Sequence, residues 1–246
     1  MAKQIKKKFP KWPLVLLLIM ALLFGACAVY VSIYYKADTD AIAAFSTDFS
    51  VQKTVWEDDT VVFCPESPIA GFIFYPGGKV EHTAYEPLMQ SLAENGILCV
   101  LVKMPFRLAV LDVNAADGIQ EKFPETKDWY IGGHSLGGSM AASYLADHAD
   151  AFQGLVLLGS YSTTDLRESG LSCLSVYGSE DGVLNREKYE KNKKNLPSDF
   201  TERVLQGGCH AYFGMYGSQK GDGEPSITNE EQIRLTVNAI LSFILE

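Results

Sequence analysis

Hydrophobic and polar positions divide the chain into an N-terminal apolar run and a longer segment of alternating patterns. The run from Pro13 to Tyr35 is 23 residues long and contains no charged side chain. After residue 56, short apolar runs alternate with segments whose apolar positions recur at helical spacing. Continuous apolar runs are typical of strands that are covered on both faces of a sheet. The alternation therefore predicts one α/β domain, residues 57–246, with a mostly parallel, doubly wound sheet and helices on both faces.

The individual elements follow from the same pattern. We expect strands at residues 61–64, 70–75, 97–102, 129–132, 154–158, 173–177 and 202–205. We expect helices near residues 85–94, 115–123, 138–148, 186–195 and 230–245. In the last helix Ile233, Val237 and Ile240 share one face, which is the apolar stripe of a helix that packs on a sheet.

The uncharged run predicts a transmembrane helix over residues 13–35. A helix of this length measures about 34 Å, enough to cross a hydrocarbon core of about 30 Å. Trp12 stands at one end, and Tyr30, Tyr34 and Tyr35 stand at the other, where interfacial aromatic residues are found. The sequence therefore predicts a membrane anchor.

Charges on the two sides of this run predict the topology. Residues 1–12 contain five lysines and no acidic residue. Because positively charged flanks stay inside, we expect residues 1–12 to be a basic cytoplasmic N-terminus. The domain at residues 57–246 would then lie outside the cell membrane. Residues 36–56 are mixed and weakly patterned, which predicts a membrane-proximal linker with room for a short helix.

Two other interpretations of the same run stay open. Gly25-Ala26 could end a cleaved signal peptide, and Cys27 could be the lipidated N-terminus of a lipoprotein. The apolar sequence continues to Val31, however, where a polar linker would be expected after a cut. This continuation favours an uncleaved single-pass signal anchor. In each interpretation the domain lies outside.

Composition and charge exclude several classes of function. With 47% hydrophobic and 21% charged residues the chain is globular and not disordered. Residues 36–246 carry 16 basic and 30 acidic side chains, and that negative charge would be repelled by phosphate backbones. We therefore expect no nucleic-acid binding. The five cysteines show no metal-ligand spacing, so we expect no metal site. Four of them lie in the domain, where buried free thiols are the first expectation and three disulfide pairings stay open.

One pentapeptide points to nucleophilic catalysis. Gly133-His134-Ser135-Leu136-Gly137 matches G-x-S-x-G, and it joins a predicted strand to a predicted helix. This strand–serine–helix turn is the nucleophile elbow, in which glycines allow the strand and the helix to pack closely. The helix N-terminus favours negative charge that develops beside the serine. Ser135 is the predicted nucleophile.

A nucleophilic serine needs a base, and the base needs a carboxylate that orients it. The elbow fold places these partners after later strands, in the order Ser, Asp or Glu, His. Asp181 follows the strand at 173–177, with Glu180 as the alternative acid, and His210 follows the strand at 202–205. For His82, His134 and His148 we expect packing, capping or surface roles.

The remaining catalytic part is the oxyanion hole. One donor is expected to be the backbone N–H of Leu136, directly after the nucleophile. The second is expected in Tyr75-Pro76-Gly77-Gly78-Lys79, because this turn follows an earlier strand and its glycines let the backbone approach substrate closely. We assign it to the N–H of Gly78, with Lys79 as the fallback.

These motifs make the chain similar to the α/β-hydrolase superfamily over about residues 70–245. More narrowly, the turn at 75–78 and the run from His210 to Asp222 resemble small bacterial α/β-hydrolases related to dienelactone hydrolases. Dienelactone hydrolases use a cysteine nucleophile, whereas the elbow here holds Ser135. We therefore do not expect this chain to share the dienelactone substrate of those enzymes. The resemblance implies hydrolysis through a covalent acyl-enzyme, without a metal or an organic cofactor.

We therefore expect a serine hydrolase that acts on an acyl bond of a small molecule. A carboxylic ester is the first expectation, with amide, thioester and lactone as alternatives. The connection Gly159–Gly170 has room for a helix at 164–168 but not for a cap domain, and Tyr212, Phe213 and Tyr216 could wall a shallow pocket. The rival interpretation is a catalytically silent surface-binding domain, which would have no use for a triad and an oxyanion loop.

Overall fold

The computed structural model describes residues 12–45 and 51–245, which divide into two compact units between Tyr34 and Tyr35. The first unit holds helix α1 (Trp12–Ser32). Its segment Val15–Ser32 has a mean hydropathy of 2.6 and is long and apolar enough to cross a membrane. The apolar helix that the sequence predicts is thus present, although it ends three residues earlier. Residues 1–11 of the predicted basic N-terminus lie outside the described residues.

The second unit is an α/β domain. Its helices are α2 (Thr39–Phe45), α3 (Glu86–Glu94), α4 (Leu136–His148), α5 (Arg186–Asn192) and α6 (Asn229–Leu245). Its strands are β1 (Gln52–Val55), β2 (Val61–Cys64), β3 (Ala70–Tyr75), β4 (Ile97–Leu101), β5 (Trp129–His134), β6 (Gly154–Leu158), β7 (Ser172–Gly178) and β8 (Asp199–Leu205).

The eight strands form one sheet in the order β1-β2-β4-β3-β5-β6-β7-β8. The pairs β1–β2 and β2–β4 are antiparallel, and the other neighbouring pairs are parallel. In the middle of the sheet, Ile73 of β3 lies opposite Val100 of β4 and Ile131 of β5. The mostly parallel, doubly wound sheet predicted from the apolar runs is confirmed.

Each face of the sheet is covered by its own apolar layer. Because successive side chains of a strand point to opposite faces, Phe72 and Phe74 pack with α3 and α6 on one side. Ile73 and Tyr75 pack with α4 and the β4–β5 connection on the other side. This two-sided burial explains why β3, β4 and β6 carry apolar residues or glycine at every position. It also fixes the strand ends, from which the site residues extend.

The segment predicted as a membrane-proximal linker, residues 36–56, belongs to the domain in its described parts. Side chains of α2, including Ile42, pack against the apolar layer that contains α3. Strand β1 pairs with β2, with Gln52 opposite Cys64. All four β1 side chains are exposed, as at the edge of a sheet, so no apolar pattern marks the strand.

The helix expected at residues 115–123 is not formed. This segment contains turns and one short 3₁₀ turn, Gln120–Lys122. Gly118 has a φ of 72°, which lies in the left-handed region and interrupts a right-handed helix. The apolar spacing correctly predicts burial, because Ala116 and Ile119 are buried against the sheet. The helical backbone that the same spacing predicts is wrong.

Backbone hydrogen bonds join the first residues of the domain to two loops. The N–H of Tyr35 donates to the carbonyl of Lys79 at 2.8 Å, and the N–H of Glu81 donates to the carbonyl of Tyr35 at 2.9 Å. The N–H of Asp38 donates to the carbonyl of Met215 at 2.8 Å. Residues 35–38 therefore fasten the loop after β3 and the loop after β8.

Candidate active site

Ser135 occupies a strained turn between β5 and α4. Its φ of 52° and ψ of −121° place a non-glycine residue in a sparsely populated region of backbone conformation. A Cβ on Gly133 would lie 2.4 Å from the carbonyl oxygen of Tyr75, and one on Gly137 would lie 2.1 Å from the same atom. Glycine is therefore required on both sides of the serine, because β3 passes directly beneath the turn.

Two further contacts hold the strained turn in place. The N–H of Ser135 donates to the carbonyl of Leu158 at 2.9 Å, at the end of β6. The hydroxyl of Ser160 donates to the carbonyl oxygen of Ser135 at 2.7 Å. Both backbone groups of Ser135 are thus fixed by the neighbouring strand and the loop after it. Sequence reasoning did not identify Ser160, since a lone serine in a loop carries no signal.

Asp181 and His210 form a buried pair at the ends of β7 and β8. Oδ2 of Asp181 lies 2.8 Å from Nδ1 of His210, and both side chains are buried. Oδ1 of Asp181 accepts hydrogen bonds from the N–H groups of Val183 at 3.0 Å and Leu184 at 2.8 Å. A carboxylate fixed in this way only accepts hydrogen bonds, so Nδ1 of His210 carries the proton and Nε2 is left as the acceptor.

The alternative acid, Glu180, points elsewhere. Its side chain is exposed, and its Oε1 accepts a hydrogen bond of 2.9 Å from the hydroxyl of Ser179. The structure brings Asp181, and not Glu180, to His210.

His210 and Ser135 line the same cavity, which has a volume of about 250 Å³. Nε2 of His210 is buried and has no hydrogen-bond partner among the described residues. Polar lining comes from Ser139, Ser160 and Asn185, and apolar lining from side chains that include Leu136 and Leu184. An unpaired acceptor in a cavity that also contains a serine at a helix N-terminus can take up a proton there.

The three backbone N–H groups of the turn after β3, at residues 77–79, differ in what they bind. The N–H of Lys79 donates to the carbonyl of Arg107 at 2.8 Å, and the N–H of Gly77 donates to the hydroxyl of Tyr85 at 3.1 Å. Both are occupied, which removes Lys79 as a fallback donor. Gly78 lies beside the elbow, since a Cβ on it would be 3.0 Å from the Leu136 side chain. Among the described residues none accepts a hydrogen bond from the Gly78 N–H.

His134, which sequence reasoning assigned to packing, lies in the centre of the site. Its ring centroid is 4.4 Å from that of His210, and its Nδ1 lies 2.8 Å from the hydroxyl of Tyr85. Burial, and secondly the proximity of His210, hold the pKa of His134 well below its usual range. His134 is therefore neutral at physiological pH. The only sequence signal for it was its position inside the G-x-S-x-G motif.

The loop aromatics do not form the pocket wall that the sequence suggested. Phe213 and Tyr216 are buried, with Phe213 5.4 Å from the ring of His134 and Tyr216 6.4 Å from the ring of Tyr85. Both rings pack in the core beside the site, because burial of an aromatic ring stabilises the fold more than its exposure at the edge of a pocket would. In the β6–β7 connection, where the sequence leaves room for a turn or a short helix at 164–168, the structure contains turns and no helix or strand.

The comparisons with known proteins agree with this architecture. Residues 71–234 match the sequence profile of the alpha/beta hydrolase family. No curated protein sequence matches the chain.

Three solved structures share the fold at low identity. TT1662 from Thermus thermophilus is 15% identical, with a TM-score of 0.59, over 79% of this chain and 98% of that one. Dienelactone hydrolase from Anabaena variabilis is 12% identical, with a TM-score of 0.58, over 78% and 98%. Est1E from Butyrivibrio proteoclasticus is 14% identical, with a TM-score of 0.57, over 80% and 98%. Because the profile match spans more than half of the sequence, the chain belongs to the alpha/beta hydrolase family of enzymes.

Proposed function

We propose that this enzyme is a serine hydrolase that cleaves a small carboxylic ester. The observation that carries the proposal is the unpaired Nε2 of His210, which lies in one cavity with Ser135 while Nδ1 is held by Asp181. A serine nucleophile needs such a base nearby, because the serine hydroxyl is inert until its proton is removed, and the hydrogen bond between Ser135 and His210 would form when substrate binds.

The reaction proceeds in two halves. Oγ of Ser135 attacks the carbonyl carbon while Nε2 of His210 takes its proton, and Asp181 stabilises the imidazolium. The N–H groups of Gly78 and Leu136 stabilise the oxyanion. His210 then gives the proton to the leaving alcohol, and the acyl group stays on Ser135. Water then attacks the acyl carbon while His210 takes its proton. His210 passes that proton to Oγ of Ser135 as the acid leaves, which restores the serine.

The cavity supports a small substrate. Ligand pockets usually have volumes of about 300–1,000 Å³, and this one, at about 250 Å³, is smaller. Its lining also mixes hydroxyl and amide groups with apolar side chains. A short acyl group fits such a site, whereas a long chain would extend into water.

Helix α1 supports a location at the membrane. We propose that it is an uncleaved single-pass anchor and that the catalytic domain lies on the extracytoplasmic side. The proposal rests on the hydropathy of Val15–Ser32 and on the lysines that precede it. Cleavage after Ala26 and lipidation at Cys27 are the alternatives.

The direct test of catalysis is labelling of the full-length protein with a fluorophosphonate, followed by mapping of the modified residue. Ser135 should be labelled, and Ser135→Ala should lose labelling and about 10⁴–10⁶ of the rate. Ser139→Ala is the matched control, since Ser139 lines the same cavity and its variant should still be labelled. A label on another serine, or a fully active Ser135→Ala variant, would overturn the assignment of Ser135, whereas a parent protein with neither labelling nor turnover would favour the silent binding domain.

A further inference from the structure

A second carboxylate, Asp222, joins the two loops that carry the proposed acid and base. Its Oδ1 accepts hydrogen bonds from the N–H groups of Gly182 at 3.1 Å and His210 at 3.0 Å. Its Oδ2 accepts from the N–H of Ala211 at 2.7 Å. Oδ1 is also 3.0 Å from the N–H of Gly223. Four backbone donors from three segments therefore converge on one side chain.

The segment around Asp222 is packed directly on the loop of the proposed acid. A Cβ on Gly182 would lie 2.5 Å from the carbonyl oxygen of Gly221, and one on Gly223 would lie 2.0 Å from that of Glu180. Backbone lies against backbone here, so the carboxylate is within reach of both loops. Gly182, which follows Asp181, and the backbone of His210 are thus both held by the carboxylate of Asp222.

We propose that Asp222 is a positioning residue that sets the distance between Asp181 and His210. This inference rests on the proposed function, because it concerns the same acid–base pair. Asp222 itself touches neither reacting group. Its carboxylate holds Gly182 on one side and His210 and Ala211 on the other, so the 2.8 Å contact between Asp181 and His210 depends on it.

The chemistry requires an aspartate at this position. An ionised carboxylate offers two acceptor oxygens and no donor, whereas an asparagine offers one oxygen and one NH₂ group. In Asp222→Asn the NH₂ group would face either the donors of Gly182 and His210 or the donor of Ala211. In the first orientation both loops lose the shared acceptor, and in the second the segment of His210 and Ala211 is held by one hydrogen bond in place of two. Hydrogen bonds from N–H groups to a carboxylate are also stronger than those to a neutral amide.

The test compares Asp222→Asn with Glu224→Gln in the full-length protein. Glu224 is exposed and lies two residues further along, so its variant removes the same charge without the loop attachments. We expect kcat for a short ester to fall on the order of 100-fold in Asp222→Asn, with KM little changed, because misplacing a reacting group costs about that much. Glu224→Gln should keep the parent kcat.

The split between kcat and KM separates positioning from mere structural support. A looser Asp181–His210 contact weakens proton transfer but not substrate binding, so kcat falls while KM holds. A purely structural role would lower the melting temperature but leave kcat per fluorophosphonate-reactive site unchanged. That outcome would overturn the proposal, as would equal behaviour of the two variants. Failure of the proposed function would appear separately, as an active Ser135→Ala or Asp181→Asn enzyme.

Discussion

The hydroxyl of Tyr85 lies 2.8 Å from Nδ1 of His134, and the same hydroxyl accepts a hydrogen bond of 3.1 Å from the N–H of Gly77. The Tyr85 hydroxyl therefore hydrogen-bonds to both the backbone of Gly77 and the neutral ring of His134. The pair connects the loop that carries the proposed donor Gly78 to the residue directly before Ser135.

The neutral state of His134 predicts a loss of stability in acid. The pKa of His134 is held well below its usual value by burial, whereas in the unfolded chain it is near 6.5. The unfolded state thus binds more protons below about pH 6.5, and the free energy of unfolding falls by up to about 1.4 kcal/mol per pH unit from this group. In His134→Asn, which keeps an acceptor for Tyr85, the melting temperature should fall less steeply between pH 6.5 and 5 than in the parent protein. Equal slopes would contradict this explanation.

Removal of the Tyr85 hydroxyl should weaken catalysis through the oxyanion loop. Tyr85→Phe leaves Gly77 without its acceptor, so the adjoining Gly78 donor loses its fixed position. Loss of one oxyanion donor costs about 10²–10³ in kcat, and a displaced donor should cost less, about tenfold to 100-fold. Tyr216→Phe is the matched control, because its hydroxyl bonds to Gln219 in the same aromatic cluster. Steady-state kinetics with an acetyl ester would decide, and equal kcat values for the two variants would show that the loop does not need this bond.

Asp181 and Glu180 can be separated by parallel amide substitutions. Asp181→Asn should lower kcat by about 10⁴, because an amide would favour the wrong tautomer of His210. Glu180→Gln should change kcat little, because Glu180 is exposed and bonds to Ser179. Both variants keep the size of the side chain, so kcat values at saturating substrate are directly comparable. If Glu180→Gln were the damaged enzyme, the acid would be misassigned by one residue.

The site residues that can be predicted from the sequence are those marked by a short motif or by the end of an apolar strand. Gly133 and Gly137 flank Ser135 in a fixed motif, and the ends of apolar strands located Asp181 and His210. The contacts that it missed join distant segments. The bond from Lys79 to Arg107 connects two loops 28 residues apart, and no spacing rule anticipates it.

The exposure or burial of side chains explains the two other differences between the predicted and the observed elements. Strand β1 has only exposed side chains, so it carries no apolar period. The pattern at residues 115–123 is apolar because the segment covers the sheet, and burial of a turn and burial of a helix give similar signals. Sequence therefore predicts which residues are covered better than it predicts the backbone that covers them.

Membrane topology can be tested with protease added to intact cells. The proposed orientation predicts that residues 36–246 are digested while the lysine-rich N-terminus is protected. The five lysines before α1 are the physical reason, because positively charged flanks of a membrane helix are generally retained on the cytoplasmic side. Permeabilised cells serve as the control, in which the N-terminus should also become accessible. A domain that resists protease until permeabilisation would reverse the topology, and N-terminal sequencing of the purified protein would detect cleavage after Ala26.

The length of the acyl chain should decide how well an ester is turned over. The cavity at Ser135 is about 250 Å³, and the connection between β6 and β7 contains no helix or strand that could extend it as a lid. Each methylene that becomes buried contributes about 0.8 kcal/mol, so affinity should stop rising once the cavity is full.

In a series of p-nitrophenyl esters we expect kcat/KM to be highest at acetyl or butyryl and to fall for longer chains. The rate should also pass smoothly through the micelle threshold of the longer esters, because no lid has to open. The series is best measured on the detergent-solubilised full-length enzyme, with Ser135→Ala as the blank for spontaneous hydrolysis. A maximum at palmitoyl would require an acyl site much deeper than the cavity around Ser135 and His210, and a jump in rate at the threshold would require a closing segment over it.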